Sequence, residues 1–193
     1  FQIDNKYQLK LSDHLIKIRN NIMFQIRKIL ISDIPQLIAI EHSANQAFAQ
    51  IPQLKWLAES AVMSSDQHLD LIQNHDAFVA VNTKNQAVGF LYAEKQAQDL
   101  YIIELDVAAE YQQQGIGHQL MTYTLDFARQ QGFQAVTLTT FIDVAWNRPF
   151  YEKLGFKQLN VQNLKPYLKQ KIAHEIEQGF IRESRCAMCF TLH

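Results

Sequence analysis

Long apolar runs, blocks of one charge and a supply of cysteine are all missing from this 193-residue sequence. Nothing approaches the roughly eighteen consecutive apolar residues of a membrane-spanning helix, so no such span is expected. No block of about five or more basic residues appears, and the formal net charge is −1, which argues against a nucleic-acid or anionic-membrane partner. The N-terminus lacks a basic region followed by an apolar core, and a cytoplasmic protein is expected. The two cysteines, Cys186 and Cys189, make a single Cys-Ala-Met-Cys pair, whereas zinc needs four ligands. Their surroundings, RCAMCFTL, read as a strand that points the two thiols to opposite faces. The histidines are scattered with no pair at ligand spacing and a third partner, so no metal is expected.

What is present describes a globular chain. Apolar residues make up 48% and charged residues 19% of the sequence, and its length suits one domain with a substantial core. Residues 1–22 read as an extension of unknown role, and 23–193 as the domain. In that domain Met23–Leu30 is β-capable, and Ser32, Asp33 and Pro35 open a helix carried on by Leu37, Ile38, Ala44 and Phe48. A second helical region covers Trp56–Asn74. Ala77–Val81 and Ala87–Ala93, split by Asn-Thr-Lys-Asn-Gln, form a hairpin. Later come a strand at Ala135–Phe141, a short helix at Trp146–Leu154, an extended piece at Phe156–Leu159, a helix at Pro166–Gln178 and a last strand at Arg185–Leu192.

The stretch Leu100–Gly132, LYIIELDVAAEYQQQGIGHQLMTYTLDFARQQG, organises the rest. Leu100–Val107 alternates as a strand, placing Glu104 and Asp106 on one face. From Gly117 the period becomes helical, with Leu120, Met121, Thr124, Leu125 and Ala128 on one stripe and Gly132 as the stop. Between them Gly115 and Gly117 remove side chains where a backbone must approach a ligand, and the first helical turn leaves N–H groups able to hold an anion such as a phosphate. A Walker loop would need Lys and Ser/Thr where His118 and Gln119 stand, and a dinucleotide fingerprint would need glycine at Leu120 and an acid near Ala135. Neither fits.

Gln112, Gly115 and Gly117 match the pattern Gln/Arg-x-x-Gly-x-Gly/Ala of the GNAT superfamily of acyl-CoA-dependent N-acetyltransferases. The stretch FYEKLGF, Phe150–Phe156, resembles that family's second signature, and the order of elements over 23–193 is similar to its fold. The resemblance implies an α+β fold: a mixed, mostly antiparallel central sheet of six to seven strands flanked by helices, with a splayed parallel pair at a cofactor wedge. It implies acetyl-CoA as co-substrate, with the pyrophosphate on the backbone N–H groups of Gln113, Gln114, Gly115, Ile116, Gly117 and His118. The pantetheine amides would follow the backbone of Leu105, Asp106 and Val107. Asn147 is a cofactor contact by resemblance, although the usual family spacing falls on Val144, and Gln113 and Gln114 replace the glycine and basic residue often found in the loop. Tyr151 matches the general acid that protonates the departing thiolate.

The chemistry also asks for a base. An alkylammonium with a pKa near 10.4 must lose a proton before it attacks a thioester, at a cost of roughly 4 kcal/mol at neutral pH. Glu104 is the first choice to accept that proton, directly or through water, and Asp106 the second. Phe48, Trp56 and Met63, within Glu41–Asp66, are candidate walls for the acceptor. The expected activity is acetyl transfer to a primary amine of a small molecule or peptide by direct attack, with a homodimer left open. The alternative is a catalytically inactive acyl-CoA-binding regulatory module.

Overall fold

The computed structural model describes residues 24–193; the expected extension at 1–22 lies outside the described residues. The first strand, β1 (Phe24–Lys28), is followed by helix α1 (Ile34–Asn45), which buries Leu37, Ile40 and Ala44 at the helical period. Asp33 stands before this helix, but its side chain makes no cap to it. Its carboxylate accepts the Leu30 N–H at 2.8 Å and two guanidinium N–H bonds from Arg27 at 2.7 and 2.9 Å.

Burial alone would push the Asp33 carboxyl up, but these bonds outweigh it and hold it below the usual carboxylate range. A lowered folded pKa contributes stability above the unfolded pKa of about 4, lost as pH falls through the folded value. Melting followed from pH 7 to pH 3 should therefore show Asp33→Asn less stable than wild type at pH 7 by several degrees. The gap should narrow on acidification, and a gap constant with pH would contradict this role.

The helical region expected at 56–74 is two helices, α2 (Lys55–Glu59) and α3 (Ser65–Asn74). The break has a local cause: Ser64 and Gln67 form a reciprocal capping box, with the Gln67 N–H on Ser64 Oγ at 3.3 Å and the Ser64 N–H on Gln67 Oε1 at 2.8 Å. Strands β2 (Asp76–Asn82) and β3 (Ala87–Gln96) follow. Asn82 Oδ1 shapes the turn between them by accepting the N–H groups of Lys84 at 2.9 Å and Gln86 at 3.1 Å. Next come β4 (Asp99–Val107), α4 (Ile116–Gln130), β5 (Ala135–Phe141), α5 (Arg148–Lys153), β6 (Lys157–Gln158), α6 (Pro166–Glu177) and β7 (Arg185–Thr191).

The seven strands form one mixed sheet in the order β1-β2-β3-β4-β5-β7-β6. Pairs β1/β2, β5/β7 and β6/β7 are antiparallel, and β4/β5 is parallel, as a strand reached through a crossover helix should be. The expected α+β architecture, including the parallel pair, is thus the observed one.

The chain divides into two compact units. The first holds the described residues up to Phe90 together with Leu105–Leu120 and is centred on Leu37, Phe78, Phe90, Ile116 and Leu120. The second holds Leu91–Glu104 and Met121–His193. In it α6 covers one sheet face, where Tyr101, Leu164, Leu168, Ile172 and Ala187 pack together. The opposite face carries Phe190, against which Phe156 packs at 5.5 Å and Arg129 of α4 stacks at 5.6 Å. Among the described residues no helix is long and apolar enough to cross a membrane.

Candidate active site

The parallel register of β4 and β5 is short. Asp99, Leu100 and Tyr101 pair with Ala135, Val136 and Thr137, and there the register ends, while β4 continues to Val107. Asp99–Ile102 are buried, whereas every residue from Ile103 to Val107 is only half-buried, on both faces of the strand. Past Tyr101 β4 keeps β3 as its neighbour but no longer pairs with β5, and a strand edge without a ladder partner is a place where an extended ligand can pair.

In the first unit the C-terminal end of β4 is fixed from several sides. The Ala108 N–H donates to Val88 O at 3.0 Å, and the Gln112 side-chain amide donates to Val107 O at 3.1 Å. The Ala109 N–H donates to Ser43 Oγ of α1 at 3.2 Å. Tyr111 packs edge-on against Phe24 at 6.2 Å. Beside the strand lies Gly89 of β3, where an added Cβ would stand 2.9 Å from Asp106 O and 3.2 Å from the side chains of Val107 and Ile116.

The loop that follows is exposed at Gln112, Gln113, Gly115 and His118. Gln113 and Gly115 both take left-handed backbone conformations, at φ +60° and +84°, and turn the chain sharply before α4 begins at Ile116. Space around Gly115 is open: a Cβ there would meet nothing within 4 Å. The first bond of the helical type runs from Gln119 N to Gly115 O at 3.0 Å, so the N–H groups of Ile116, Gly117 and His118 precede it and point out of the helix end. These donors and the open approach fit a pyrophosphate. Ile116 is 1% exposed, so it can serve only through its backbone. The Gln112 side chain shapes the loop by its bond to Val107 O.

Glu104, Asn147 and Tyr151 belong to the second unit. Glu104 is half-buried on β4 and shares the alternation of Asp106. Tyr151 is half-buried on α5, its ring 5.0 Å from Phe150 and 5.8 Å from Phe156. The physical content of FYEKLGF is a helix C-cap: the Phe156 N–H donates to Tyr151 O at 3.0 Å and the Gly155 N–H to Glu152 O at 3.0 Å, with Gly155 at φ +96°. This Schellman arrangement ties Tyr151 to the Phe156–Phe190 packing. Asn147 receives the N–H groups of Phe150 at 2.9 Å and Tyr151 at 3.2 Å on its backbone oxygen, so it starts the helix that carries Tyr151. Val144, at the position where the family spacing puts asparagine, is buried in the core.

The cysteines stand on β7 opposite Thr140 and Thr137, pointing to the two faces as expected. Burial pushes the Cys186 thiol up to about 11 and raises Cys189 as well. Both are therefore protonated and poor nucleophiles at neutral pH. Among the described residues no group of three or more His, Cys, Asp and Glu could hold a metal ion. Of the suggested acceptor walls, Phe48 and Met63 are half-buried and Trp56 is 36% exposed; none is a core residue.

The model of the acetyltransferase (GNAT) family matches residues 40–156, more than half of the chain and inclusive of both signatures. The chain belongs to that family. Curated relatives include the probable N-acetyltransferase camello of Xenopus laevis, 35% identical over 46% of this chain and 42% of its own length. Another is N-alpha-acetyltransferase 30 of Schizosaccharomyces pombe, 39% identical over 29% of this chain and 37% of its own length. The chain thus spans less than half the length of either relative. The PaiA N-acetyltransferase of Thermoplasma acidophilum, solved in complex with coenzyme A, shares the fold with a TM-score of 0.67 at 18% identity. That likeness covers 88% of this chain and 99% of the other.

Three features of the GNAT chain described here carry no signal in its sequence. Gly89 reads as an ordinary strand residue, and only its closeness to Asp106 O shows why a side chain is excluded. Tyr111 and Ser43 reach the loop from positions that no short spacing connects. The polar chain Tyr101–Thr139–Glu175–Arg185 is assembled across four separate elements.

Proposed function

We propose that this chain transfers an acetyl group from acetyl-CoA to a primary amine by direct attack. The observation that carries the reading is the early end of the β4/β5 register, just upstream of an exposed loop and helix start. The relatives' names and the coenzyme A in the solved PaiA structure support it. Acetyl-CoA supplies an activated carbonyl. The N–H groups of Gln113 to His118 bind its pyrophosphate, and the backbone of Leu105, Asp106 and Val107 binds its amide arm. The helix end alone is worth only about 0.3 to 1 kcal/mol, against roughly 8 for micromolar affinity, so the strand amides carry a large share.

Glu104, directly or through one water, takes the proton from the ammonium of the acceptor, with Asp106 as the second candidate. Tyr151 gives its hydroxyl proton to the departing thiolate. Neither step needs a covalent intermediate, which agrees with a buried Cys186 and a half-buried Cys189 whose thiols are both raised. The acceptor is a small amine or a peptide N-terminus, bounded by the 41–66 segment, and the protein works in the cytoplasm.

The test is steady-state acetyl transfer by single variants. Glu104→Gln and Tyr151→Phe should each lower kcat about tenfold or more while the coenzyme A dissociation constant stays within about threefold. Wild-type kcat in either variant would remove that residue's role. Tight coenzyme A binding with no transfer to any amine would favour a regulatory acyl-CoA-binding module instead.

A further inference from the structure

Helix α6 is an addition to the sheet rather than a connection it needs. β6 and β7 are antiparallel neighbours, a pairing that a hairpin of a few residues can close. Here the whole of 159–184 lies between them, and α6 within it is fastened to the sheet by polar bonds as well as by Leu168 and Ile172.

Those bonds span the short parallel register and the step just past it. The Tyr167 hydroxyl of α6 donates to Asp99 Oδ2, on the first paired residue of β4, at 2.6 Å and lies 2.9 Å from Thr137 Oγ1, on the last paired residue of β5. Asp99 is fully buried and also accepts Lys165 Nζ at 2.6 Å. At the last pair of the register, the Tyr101 hydroxyl of β4 lies 2.8 Å from Thr139 Oγ1 of β5, and Thr139 donates to Glu175 Oε1 of α6 at 2.5 Å. Glu175 is held in turn by Arg185 of β7 through two bonds of 2.8 and 2.7 Å.

The directions of both chains are fixed, because each ends on a carboxylate oxygen that accepts and a hydroxyl has one hydrogen to give. Tyr101 donates to Thr139, which donates to Glu175; Thr137 donates to Tyr167, which donates to Asp99. Each chain crosses from one parallel strand to the other through a side chain of α6 or ends on one. Lys171 of α6 adds a third tie, 2.5 Å from Glu94 of β3 and 4.9 Å from the centre of the Tyr101 ring.

We propose that α6 sets where the parallel strands part, with Thr139 and Glu175 as positioning residues that fix the root of the fork and so the depth reached by the acyl donor. Tyr101 is the last paired residue of β4, and its hydroxyl bonds to Thr139, one step beyond the last paired residue of β5 on that face. A fork riveted at this point cannot open further toward Asp99 without breaking a part-buried hydrogen bond. The inference rests on the acyl-transfer reading for its kinetic consequence, but not for its structural one.

The experiment compares Thr139→Val, which keeps the shape and removes the hydroxyl, with Thr139→Ser, which restores it. Two readouts are taken on the full chain: hydrogen exchange of Tyr101–Ile103 and Leu138–Thr140, and kcat for acetyl transfer. Thr139→Val should exchange at least tenfold faster in those segments and lose about tenfold in kcat. Thr139→Ser should stay within about twofold of wild type in both. If Thr139→Val does not fold, Tyr101→Phe, which removes the donor at the other end of the bond, is read the same way. Wild-type exchange in the hydroxyl-less variant would overturn the inference, as would faster exchange with undiminished kcat. Failure of the wild-type chain to acetylate any amine would count against the proposed function alone, and the exchange comparison would still decide the role of α6.

Discussion

Gly89→Val is expected to weaken coenzyme A binding by roughly tenfold to a hundredfold. Even the first atom of a side chain at this position would lie 2.9 Å from the backbone oxygen of Asp106, and 3.2 Å from both Val107 and Ile116. Backbone cannot yield as a flexible side-chain tip does, so the end of β4 or the start of α4 must move. Overpacking of this kind costs about 1 to 3 kcal/mol, and each 1.4 kcal/mol of binding energy is about tenfold in affinity. The displaced groups are those proposed to hold the amide arm and the pyrophosphate, so loss should appear in binding before it appears in global stability. Calorimetric titration of coenzyme A into wild type, Gly89→Ala and Gly89→Val should give a graded loss. Unchanged affinity in the valine variant would mean that the ligand does not depend on the β4 end and the loop.

Arg185→Ala should strongly destabilise the second unit. Arg185 and Glu175 are 8% and 17% exposed and are joined by a two-bond ion pair, and the guanidinium also stacks at 4.3 Å over Phe141 and 5.0 Å over Phe180. Removing one partner of such a pair leaves a carboxylate with its solvation gone and its counter-charge lost, at a cost of about 3 to 5 kcal/mol. For a domain of this size that corresponds to a fall in Tm of roughly 10 °C. Breaking the exposed pair Lys55–Glu59, 3.3 Å apart with both side chains more than 60% exposed, should by contrast change stability by less than about 1 kcal/mol. Differential scanning calorimetry of the two alanine variants compares them directly, and equal effects would refute the ranking.

Much of this architecture was legible because local rules agree with the fold. The alternation at Leu100–Val107, the helical stripe after Gly117 and the stop at Gly132 all describe the observed β4 and α4, and β5 runs over the residues expected. The glycine turns were readable because Gly115, Gly132 and Gly155 all take positive φ, which few other residues adopt cheaply. Boundaries failed where a side chain decided them, as at Ser64 and Gln67, whose capping box splits one expected helical region into two.

The site was legible only in part, for a different reason. Gly115, Gly117 and Tyr151 sit in short motifs whose spacing encodes their geometry. Asp33 looked like a helix cap because serine, aspartate and proline stood in order, yet its carboxylate serves Arg27 and Leu30. Glu175 and Thr139 are 36 residues apart, and Gly89 is remote in sequence from Asp106. Such contacts are products of the sheet order β3-β4-β5-β7, which no local pattern states. The early end of the β4/β5 register belongs to the same class, since strand propensity continues through Val107 after pairing has stopped.

The most direct test of the account is to mix the full chain with acetyl-CoA and a panel of primary amines and peptide N-termini, and to follow free coenzyme A thiol while identifying acetylated product by mass. At least one amine should release thiol in step with its own acetylation, at a rate that Tyr151→Phe lowers tenfold or more. Folded protein that binds coenzyme A yet acetylates none of the panel would contradict the claim that this chain transfers acetyl groups to amines.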